Sequence, residues 1–322
     1  MTVFHDISEL SRLPGPVALA IGVFDGIHLG HQKVIRAAQD FAAKQGGTAV
    51  VMTFDPHPLR VLRPEAAPRL LCSTRHKLHI LDLCGVDCVF VAPFDEVTAK
   101  TSATDFVGSL VRSCNRLGFV SVGYSWTFGR GREGNIHKLM ELGEVHGFGV
   151  YGVSAVQVDG EIVSSTLIRD AVRTGDFARA RCMLGRDYTL LGKVVRGKQL
   201  GRQIGFPTAN LAIENEELPP NGVYVVRVEG NLASLQKCSY RGQATSGNLR
   251  GVANLGLRPT VETGATERAL EVHLLDFDGD LYDSELEVAF IKTLRSEQKF
   301  AGMDELKVQI AQDVAMARLA DG

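Results

Sequence analysis

The chain has 322 residues, of which 45% are hydrophobic and 22% are charged, and its formal net charge is −2. This length predicts two domains, because a single hydrophobic core seldom extends beyond about 250–300 residues. The lack of a basic excess argues against a protein that binds nucleic acid by neutralising phosphates, although backbone amides can still bind small phosphate ligands.

From the sequence we expect neither a membrane span nor an export signal. No apolar stretch is long enough to cross a bilayer, and the first ten residues carry Asp6 and Glu9 without a basic region followed by an apolar run. The six cysteines are scattered and form no CxxC pair, which argues against disulfides and a structural zinc site. We therefore expect a cytoplasmic protein.

The first half of the chain alternates short apolar runs with longer segments of helical spacing. The apolar runs are continuous, as in parallel strands covered on both faces. Such sheets bind ligands at the carboxyl ends of their strands. The predicted strands are Val17–Val23, Ala49–Phe54, Cys88–Phe94, Phe119–Gly123 and Val150–Val156, and the predicted helices are His31–Lys44, Ser73–Leu83, Ala103–Cys114 and Asn135–His146.

The pattern changes after a helix-rich connector, Ser164–Leu184. From Tyr188 onward polar and apolar residues alternate, as in strands with one solvated face, and Gly and Pro clusters separate them. This pattern favours a closed antiparallel barrel, so we expect domains at residues 1–185 and 186–322. The predicted elements are strands Gly222–Glu229, Ala269–Phe277 and Glu285–Leu294 and a final amphipathic helix with Met303, Leu306, Ile310 and Val314 on one stripe, expected to pack on the barrel.

The first predicted strand leads into Gly22–His31, which reads GVFDGIHLGH. Gly22 and Gly26 allow a sharp turn and a close approach to a ligand. His28 and His31 share one face at the start of the next helix, whose N-terminus favours negative charge. This arrangement suits nucleotide phosphates, and reaction at an α-phosphate needs positioning and charge stabilisation. Alternatively, the histidines only cap the helix or bind a metal.

Gly22–His31 resembles the nucleotide-binding turn of the nucleotidyltransferase superfamily. The segments Thr53–Pro58 (TFDPHP) and Ser164–Arg169 (SSTLIR) resemble, more narrowly, the bacterial bifunctional riboflavin kinase/FMN adenylyltransferases, in which the second segment helps to hold ATP phosphates. Taken alone, Ser164–Thr166 reads equally well as a helix N-cap. The resemblance implies catalysis by His28 and His31, ATP binding by Gly22, Phe24, Asp25, Gly26, Gly30, Ser164, Ser165, Thr166 and Arg169, and flavin binding by Asp55 and Ser125.

The chain departs from the family's pattern at two places. The stretch Gly123–Gly129 reads GYSWTFG, with Ser125 where the family has Asp or Asn. A carboxylate or amide contact made there is therefore changed. His76 stands where an acidic residue is common. Trp126, the single tryptophan, is expected to pack in the core, with flavin stacking as the alternative.

The most specific motif is Gly197–Leu211, GKQLGRQIGFPTANL. Its glycines let backbone groups face a ligand, and Thr208 and Asn210 are two residues apart, so their oxygens point the same way in an extended segment. Hydroxyl and amide oxygens suit Mg²⁺ held by ATP phosphates. Composition alone predicts only a tight turn. The resemblance to riboflavin kinases implies ATP contacts at Gly201, Gly205 and Pro207 and metal ligands at Thr208 and Asn210.

Other matches to this family follow in its order along the chain. The resemblance implies that Glu271 is the general base for the riboflavin 5′-hydroxyl and that Arg295 contacts the flavin. From the residue pattern alone, Glu271 is an ordinary solvent-facing strand residue, Arg295 belongs to a surface ion pair, and His273 is structural. The matching segments are Leu218–Tyr224, Gly251–Thr260, Glu271–Phe277, Gly279–Tyr282 and Leu294–Phe300.

The resemblance thus implies an α/β nucleotidyltransferase domain with a Rossmann-like parallel sheet, followed by a riboflavin kinase β-barrel. The barrel would transfer the γ-phosphoryl of Mg-ATP to riboflavin, and the first domain would join FMN to AMP from a second ATP, giving FAD and pyrophosphate. Three alternatives stay open: a riboflavin kinase with a weakened first domain, a nucleotidyltransferase for phosphopantetheine or a phosphoalcohol, and a flavin-binding regulator without catalysis.

Overall fold

The structure is a computed structural model that describes residues 1–197, 199–230, 239–240, 248–259 and 266–320. The chain folds as two compact units, residues 1–165 and 166–322. The connector helices, from Thr166 onward, belong to the second unit. Lys198 and Thr260, which belong to motifs quoted above, lie outside the described residues.

The first unit is built on a parallel six-stranded sheet in the order β1-β4-β3-β2-β5-β6. The parallel sheet is confirmed. One predicted strand is too long, because the chain leaves the sheet at Val153 and then forms a hairpin of β7 (Gln157–Val158) and β8 (Glu161–Ile162). The sheet strands are β1 (Thr2–Phe4), β2 (Val17–Ile21), β3 (Thr48–Asp55), β4 (Cys88–Pro93), β5 (Leu117–Gly123) and β6 (Gly149–Val153).

Side-chain caps mark the start of each α-helix in the first unit. His28, His57, Ser73, Asp95, Ser102 and Asn135 each accept a backbone N–H from the first turn. Short 3₁₀ segments cover Ile7–Arg12, Pro64–Ala66 and Arg130–Arg132. The helices are α1 (Leu29–Gln45), α2 (Pro58–Leu62), α3 (Thr74–Leu83), α4 (Glu96–Lys100), α5 (Ala103–Ser113) and α6 (Ile136–His146).

Both faces of this sheet are buried, which explains its continuous apolar strands. On one face Leu19 of β2 belongs to a cluster with Leu110 of α5 and Leu139 of α6. On the other face the next residue, Ala20, belongs to a cluster with Ile35 of α1 and Ile80 of α3. Because strand side chains alternate between faces, two helical layers require apolar residues at every strand position.

The second unit contains a closed six-stranded barrel in the order β10-β14-β13-β11-β16-β9, with antiparallel neighbours. The barrel is confirmed, although the alternation of polar and apolar residues had predicted only some of its strands. The barrel strands are β9 (Thr189–Val195), β10 (Ala209–Ile213), β11 (Gly222–Gly230), β13 (Asn248–Pro259), β14 (Thr266–Leu274) and β16 (Glu285–Ser296); β12 (Ser239–Tyr240) pairs with β15 (Phe277–Asp278), and the helices are α7 (Ser165–Thr174), α8 (Phe177–Leu184), α9 (Leu200–Gln203) and α10 (Met303–Leu319).

The final helix packs on the barrel mainly through its C-terminal half. Val314 and Ala317 belong to a cluster with Val223, Val225 and Val252. The apolar stripe predicted for this helix begins too early, because its first member, Met303, is 48% exposed. Within the described ranges, no helix combines the length and the apolar character that a membrane span requires.

A largely buried ion pair joins α10 to the strand before it. The Arg295 guanidinium donates through Nε and Nη2 to the Asp313 carboxylate at 2.8–3.1 Å, and the two side chains are 19% and 2% exposed. The Gln309 amide donates to the same carboxylate at 3.0 Å. The sequence pattern had suggested a surface ion pair for Arg295. Because Asp313 is buried, this pair anchors the helix more strongly than an exposed pair would.

We expect Asp313→Asn to lower the free energy of unfolding by about 2 kcal/mol, because hydrogen bonds to a charged partner are worth roughly 1.5–3 kcal/mol. Urea denaturation followed by circular dichroism measures the change. The exposed neighbour Gln312 provides the control, and Gln312→Ala should leave stability unaltered. Equal stability of both variants would show that the ion pair does not hold the helix.

Candidate active sites

The loop between β2 and α1 follows an unusual backbone path. Gly26 has a φ of 79°, as the glycine pattern predicts, but Phe24 and Ile27 also have positive φ, at 52° and 41°. Such conformations cost about 1–3 kcal/mol each for residues other than glycine. Burial of the apolar Phe24 and Ile27 side chains, 1% and 0% exposed, offsets this cost. At Gly22 a Cβ would lie 2.9 Å from the Phe24 ring, so the turn needs glycine there.

The two histidines of this loop meet as predicted. His28 is the N-cap of α1, and its Nδ1 accepts the His31 backbone N–H at 3.3 Å. The two imidazole rings stack with their centroids 3.6 Å apart. Because Nδ1 of His28 acts as the acceptor, a neutral His28 carries its proton on Nε2 and can donate it to another group. Capping and ligand binding are therefore compatible roles, carried by different atoms of one ring.

Asp25 uses its carboxylate inside the protein. Its oxygens accept the N–H groups of Leu71 at 3.0 and 3.2 Å and of Cys72 at 3.2 Å, and the side chain is almost fully buried. The Gly26 N–H contacts the Cys72 sulfur at 3.3 Å. These contacts tie the loop to the segment before α3. Because the carboxylate is engaged within the protein, the backbone of Asp25 is the part that could contact ATP. That contact stays a prediction.

Ser165 reaches the same loop, since its hydroxyl donates to the Asp25 carbonyl at 2.9 Å. This contact places the start of the SSTLIR motif beside the histidine loop. Ser164 precedes α7, while Thr166 and Arg169 lie within it. Their contacts with ATP, and those of Gly30, stay predictions.

The neighbouring order of β3, β2 and β5 brings their following loops to one edge of the sheet. Asp55 and Ser125, the predicted flavin contacts, are both exposed there. Trp126 does not join them, because it stacks on Phe128 with centroids 4.7 Å apart and packs against the core cluster. The expected core role of Trp126 is confirmed. This edge is the predicted place for a ligand in a parallel sheet.

In the barrel, register brings the predicted kinase residues into one row. Asn210 of β10 lies directly opposite Glu271 of β14, and Glu271 lies opposite Asn254 of β13. Directly paired residues on adjacent strands point to the same face of a sheet. Thr208 immediately precedes β10. The sequence had quoted Asn254 only as part of a matching segment, and the register shows that it completes the row.

The loop before β10 is shaped by close backbone approaches. The Phe206 N–H donates to the Gly201 carbonyl at 2.8 Å, and Gly205 has a φ of 89°. The His273 ring contacts the Pro207 carbonyl through Nδ1 at 2.8 Å and meets the Phe206 ring edge-to-face. His273 therefore positions the loop, in line with the structural role expected for it.

A cavity of about 410 Å³ lies between this loop and residues 277–282, a size typical of small-molecule sites. The Gln199 amide donates to the Tyr282 hydroxyl at 3.0 Å, and the Arg196 guanidinium carbon lies 5.4 Å from the Tyr282 ring centroid. Sequence reasoning missed these contacts, although Gly279–Tyr282 had matched the family. Residues that line the cavity include Gln199, Arg202, Pro207, Thr208, Asp280 and Tyr282.

Two oxygen donors at the start of β10, on Thr208 and Asn210, fit a magnesium ion. The Asn210 side chain is 7% exposed, and its Oδ1 has no hydrogen-bond partner among the described residues. A buried amide oxygen without a donor is costly unless a ligand satisfies it. Together with the Thr208 hydroxyl it offers the neutral oxygen ligands that Mg²⁺ accepts beside phosphate oxygens. Across the described ranges, no group of three or more His, Cys, Asp or Glu side chains is arranged to hold a metal.

Tyr224, the last residue of the Leu218–Tyr224 match, is part of the barrel core. Its hydroxyl donates to the Pro220 carbonyl, and its side chain is 1% exposed. Burial raises the pKa of Tyr224 to about 12, so the hydroxyl keeps its proton and its hydrogen bond. This motif therefore supports the barrel and supplies no titrating group near neutral pH.

Both units match known protein families. Residues 11–167 match the family model for FAD synthetase, and residues 184–320 match that for riboflavin kinase. A bifunctional riboflavin kinase/FMN adenylyltransferase of Escherichia coli K12 is 39% identical over 319 residues, covering 99% of this chain and 97% of the relative. The chain belongs to the bifunctional riboflavin kinase/FMN adenylyltransferase family.

Other family members agree along most of their length. The protein of the same name from Haemophilus influenzae is 35% identical and covers 99% of this chain and 98% of its own. That of Bacillus subtilis is also 35% identical, over 92% and 89%. A crystal structure named a macrolide-efflux protein from Streptococcus pneumoniae has a TM-score of 0.81 and 27% identity over 99% of both chains. The last likeness supports the two-unit fold.

Substitution of Gly197 provides a test of the kinase site. A Cβ at this position would lie 2.3 Å from the Asn210 side-chain nitrogen, so Gly197→Ala must displace the Asn210 amide. We expect the family's riboflavin kinase rate to fall at least about tenfold, since small misplacements of a positioning group are costly. The control is Gly302→Ala, whose Cβ meets nothing within 4 Å. An unchanged rate in Gly197→Ala would show that the position of Asn210 does not matter.

Proposed function

We propose that this chain makes FMN from riboflavin and ATP, and then makes FAD and pyrophosphate from FMN and a second ATP. The observation that carries the proposal is that one chain contains two arrangements suited to phosphate binding. One is the stacked His28–His31 pair at the N-terminus of α1. The other is the row formed by Asn210 and Glu271 beside a glycine-rich loop. We assign adenylylation to residues 1–185 and phosphorylation to residues 186–322.

In the kinase reaction, Glu271 orients the 5′-hydroxyl of riboflavin and accepts its proton as the oxygen attacks the γ-phosphorus of ATP. The bond between the γ-phosphorus and the bridging oxygen breaks, and ADP leaves. Asn210, opposite Glu271 on the adjacent strand, and Thr208 are the residues that would hold magnesium. When bound, the ion neutralises charge on the phosphates. The loop carrying Gly201, Gly205 and Pro207 lines the ATP side.

In the adenylylation reaction, a phosphate oxygen of FMN attacks the α-phosphorus of ATP, and pyrophosphate is the leaving group. The Nε2 proton of His28, the His31 ring and the positive end of the α1 dipole act on the charge that develops on the phosphates. No covalent intermediate with the protein is needed, because positioning and charge stabilisation suffice for phosphoryl chemistry. Asp55 and Ser125 lie at the same sheet edge and are the proposed flavin contacts.

The substrates are therefore small molecules: ATP, riboflavin and FMN. We expect no nucleic-acid partner, because the formal net charge is −2 and phosphate-dependent binding to nucleic acid needs a basic surface. A cytoplasmic location is also part of this proposal, since both reactions consume ATP.

Product analysis tests the whole proposal. Purified protein is incubated with riboflavin, ATP and Mg²⁺, and FMN and FAD are separated over time. We expect FMN to appear first and FAD to follow with a lag. FMN without FAD, and no pyrophosphate from FMN plus ATP, would instead identify a riboflavin kinase alone. No turnover at all would refute an enzymatic function.

Glu271→Gln should lower the rate of FMN formation by about 10²–10⁴-fold, the usual contribution of a general base, while FAD formation from supplied FMN continues. Assaying both reactions on one preparation checks this. Glu285→Gln, an exposed carboxylate on β16, serves as the control. Equal loss of both activities in Glu271→Gln would contradict separate sites.

His31→Ala should impair FAD formation and spare FMN formation, the reverse of Glu271→Gln. We expect FAD formation from FMN to fall by about 10²–10³-fold, the typical loss when one stabilising group is removed, with FMN formation retained. The matched control is His137→Ala, an exposed histidine in the first turn of α6. Normal FAD synthesis by His31→Ala would rule out the proposed role of the paired imidazoles.

A further inference from the structure

A buried lysine of α3 contacts the phosphate-binding loop of the first unit. The Lys77 ammonium donates to the Val23 carbonyl at 2.8 Å and to the Thr53 hydroxyl oxygen at 3.1 Å. The Thr53 hydroxyl in turn donates to the same Val23 carbonyl at 2.9 Å. Lys77 is 4% exposed and Thr53 is 0% exposed. The three groups form a closed polar triangle at the start of the loop that carries the histidines.

No carboxylate pairs with Lys77 in the described part of the chain. Its partners in the described part of the chain are a carbonyl and a hydroxyl oxygen, and neither carries a negative charge. A buried ammonium is costly without an anionic partner. In an environment of low dielectric constant its potential also extends farther than it would in water. A bound anion at the adjoining loop would therefore be stabilised.

The position of Lys77 directs that charge to the nucleotide loop. Val23, the residue that it holds, lies between Gly22 and Phe24, at the exit of β2. The residues just before α3 hold the same loop a second time, because Leu71 and Cys72 donate to Asp25. The loop is thus attached to one segment at two successive points. Lys77 supplies the cationic group of these attachments, and Asp25 supplies the carboxylate.

We propose that Lys77 is a positioning residue for adenylyl transfer, which holds the Val23 carbonyl in place and places a buried positive charge next to the bound triphosphate. This role rests on the proposed FMN adenylylation. It is distinct from the roles of His28 and His31, because Lys77 acts through the backbone of the loop and through its charge. The triphosphate of ATP and the departing pyrophosphate are the ligands that it favours.

Kinetics of FAD synthesis test the proposal in the full-length chain. The variants are Lys77→Gln, which removes the charge but keeps a hydrogen-bond donor, and Lys77→Arg, which keeps both. Lys100→Met is the control, since Lys100 is 75% exposed on α4. For each, kcat and KM are measured for ATP and for FMN, and KM for pyrophosphate is measured in the reverse reaction. FMN formation from riboflavin is followed in the same samples.

We expect Lys77→Gln to lower kcat/KM for ATP in FAD synthesis by about 100-fold, as for loss of one electrostatic stabiliser, and to raise KM for pyrophosphate. KM for FMN and the rate of FMN formation should stay within about twofold, and Lys77→Arg should recover most of the loss. A purely structural lysine would change the apparent affinities for ATP and FMN together.

Two results would overturn the proposal. One is a value of kcat/KM for ATP in Lys77→Gln within about threefold of that of the unmodified protein. The other is equal loss in Lys77→Gln and Lys77→Arg, because the retained charge would then have no effect. Absence of FAD synthesis in the unmodified protein would instead remove the proposed function itself, so the two failures are distinguishable.

Discussion

The hydrogen bonds that hold the backbone between β2 and α1 are the interactions on which the first site depends. Three residues of this loop have positive φ, two of them not glycine. Such a path persists only where surrounding contacts over-determine it. Here apolar burial of Phe24 and Ile27 holds the side chains, while Asp25 and the Ser165 hydroxyl hold the backbone. The strained path lets the chain turn from the strand into the helix with both imidazoles at the helix tip.

This loop presents no exposed carboxylate at the tip of α1. Asp25, its only carboxylate, faces into the protein and accepts amide N–H groups, so it adds no exposed negative charge where phosphates would bind. The groups at the helix tip are backbone N–H groups and the imidazoles of His28 and His31. The N-terminus of a helix attracts anions through its backbone N–H groups and its dipole, without a general base.

The second site rests on a different constraint, the register of the barrel. Asn210, Glu271 and Asn254 share a face only because β10, β14 and β13 pair at those positions. A shift by one residue would move Glu271 to the opposite face. Barrel closure and the apolar interior residues, such as Leu270 and Val272, both fully buried, hold the register. The chemistry of this row is therefore supported by the packing of its neighbours.

The sequence determined the main architecture, because periodicity is a local property. Continuous apolar runs predicted the parallel sheet, alternation indicated the barrel, and local motifs singled out both histidines and Asn210, while the family resemblance pointed to Glu271. Short or irregular elements were not predicted from the sequence. Strand β1 has only three residues, and β9, which carries Gly192 within its apolar run, has no clear alternation. What only the tertiary structure decided are contacts between residues distant in the chain. The inward carboxylate of Asp25, the buried Arg295–Asp313 pair, the Gln199–Tyr282 contact and the Lys77–Val23 contact all depend on how separate segments pack, and no local pattern encodes that.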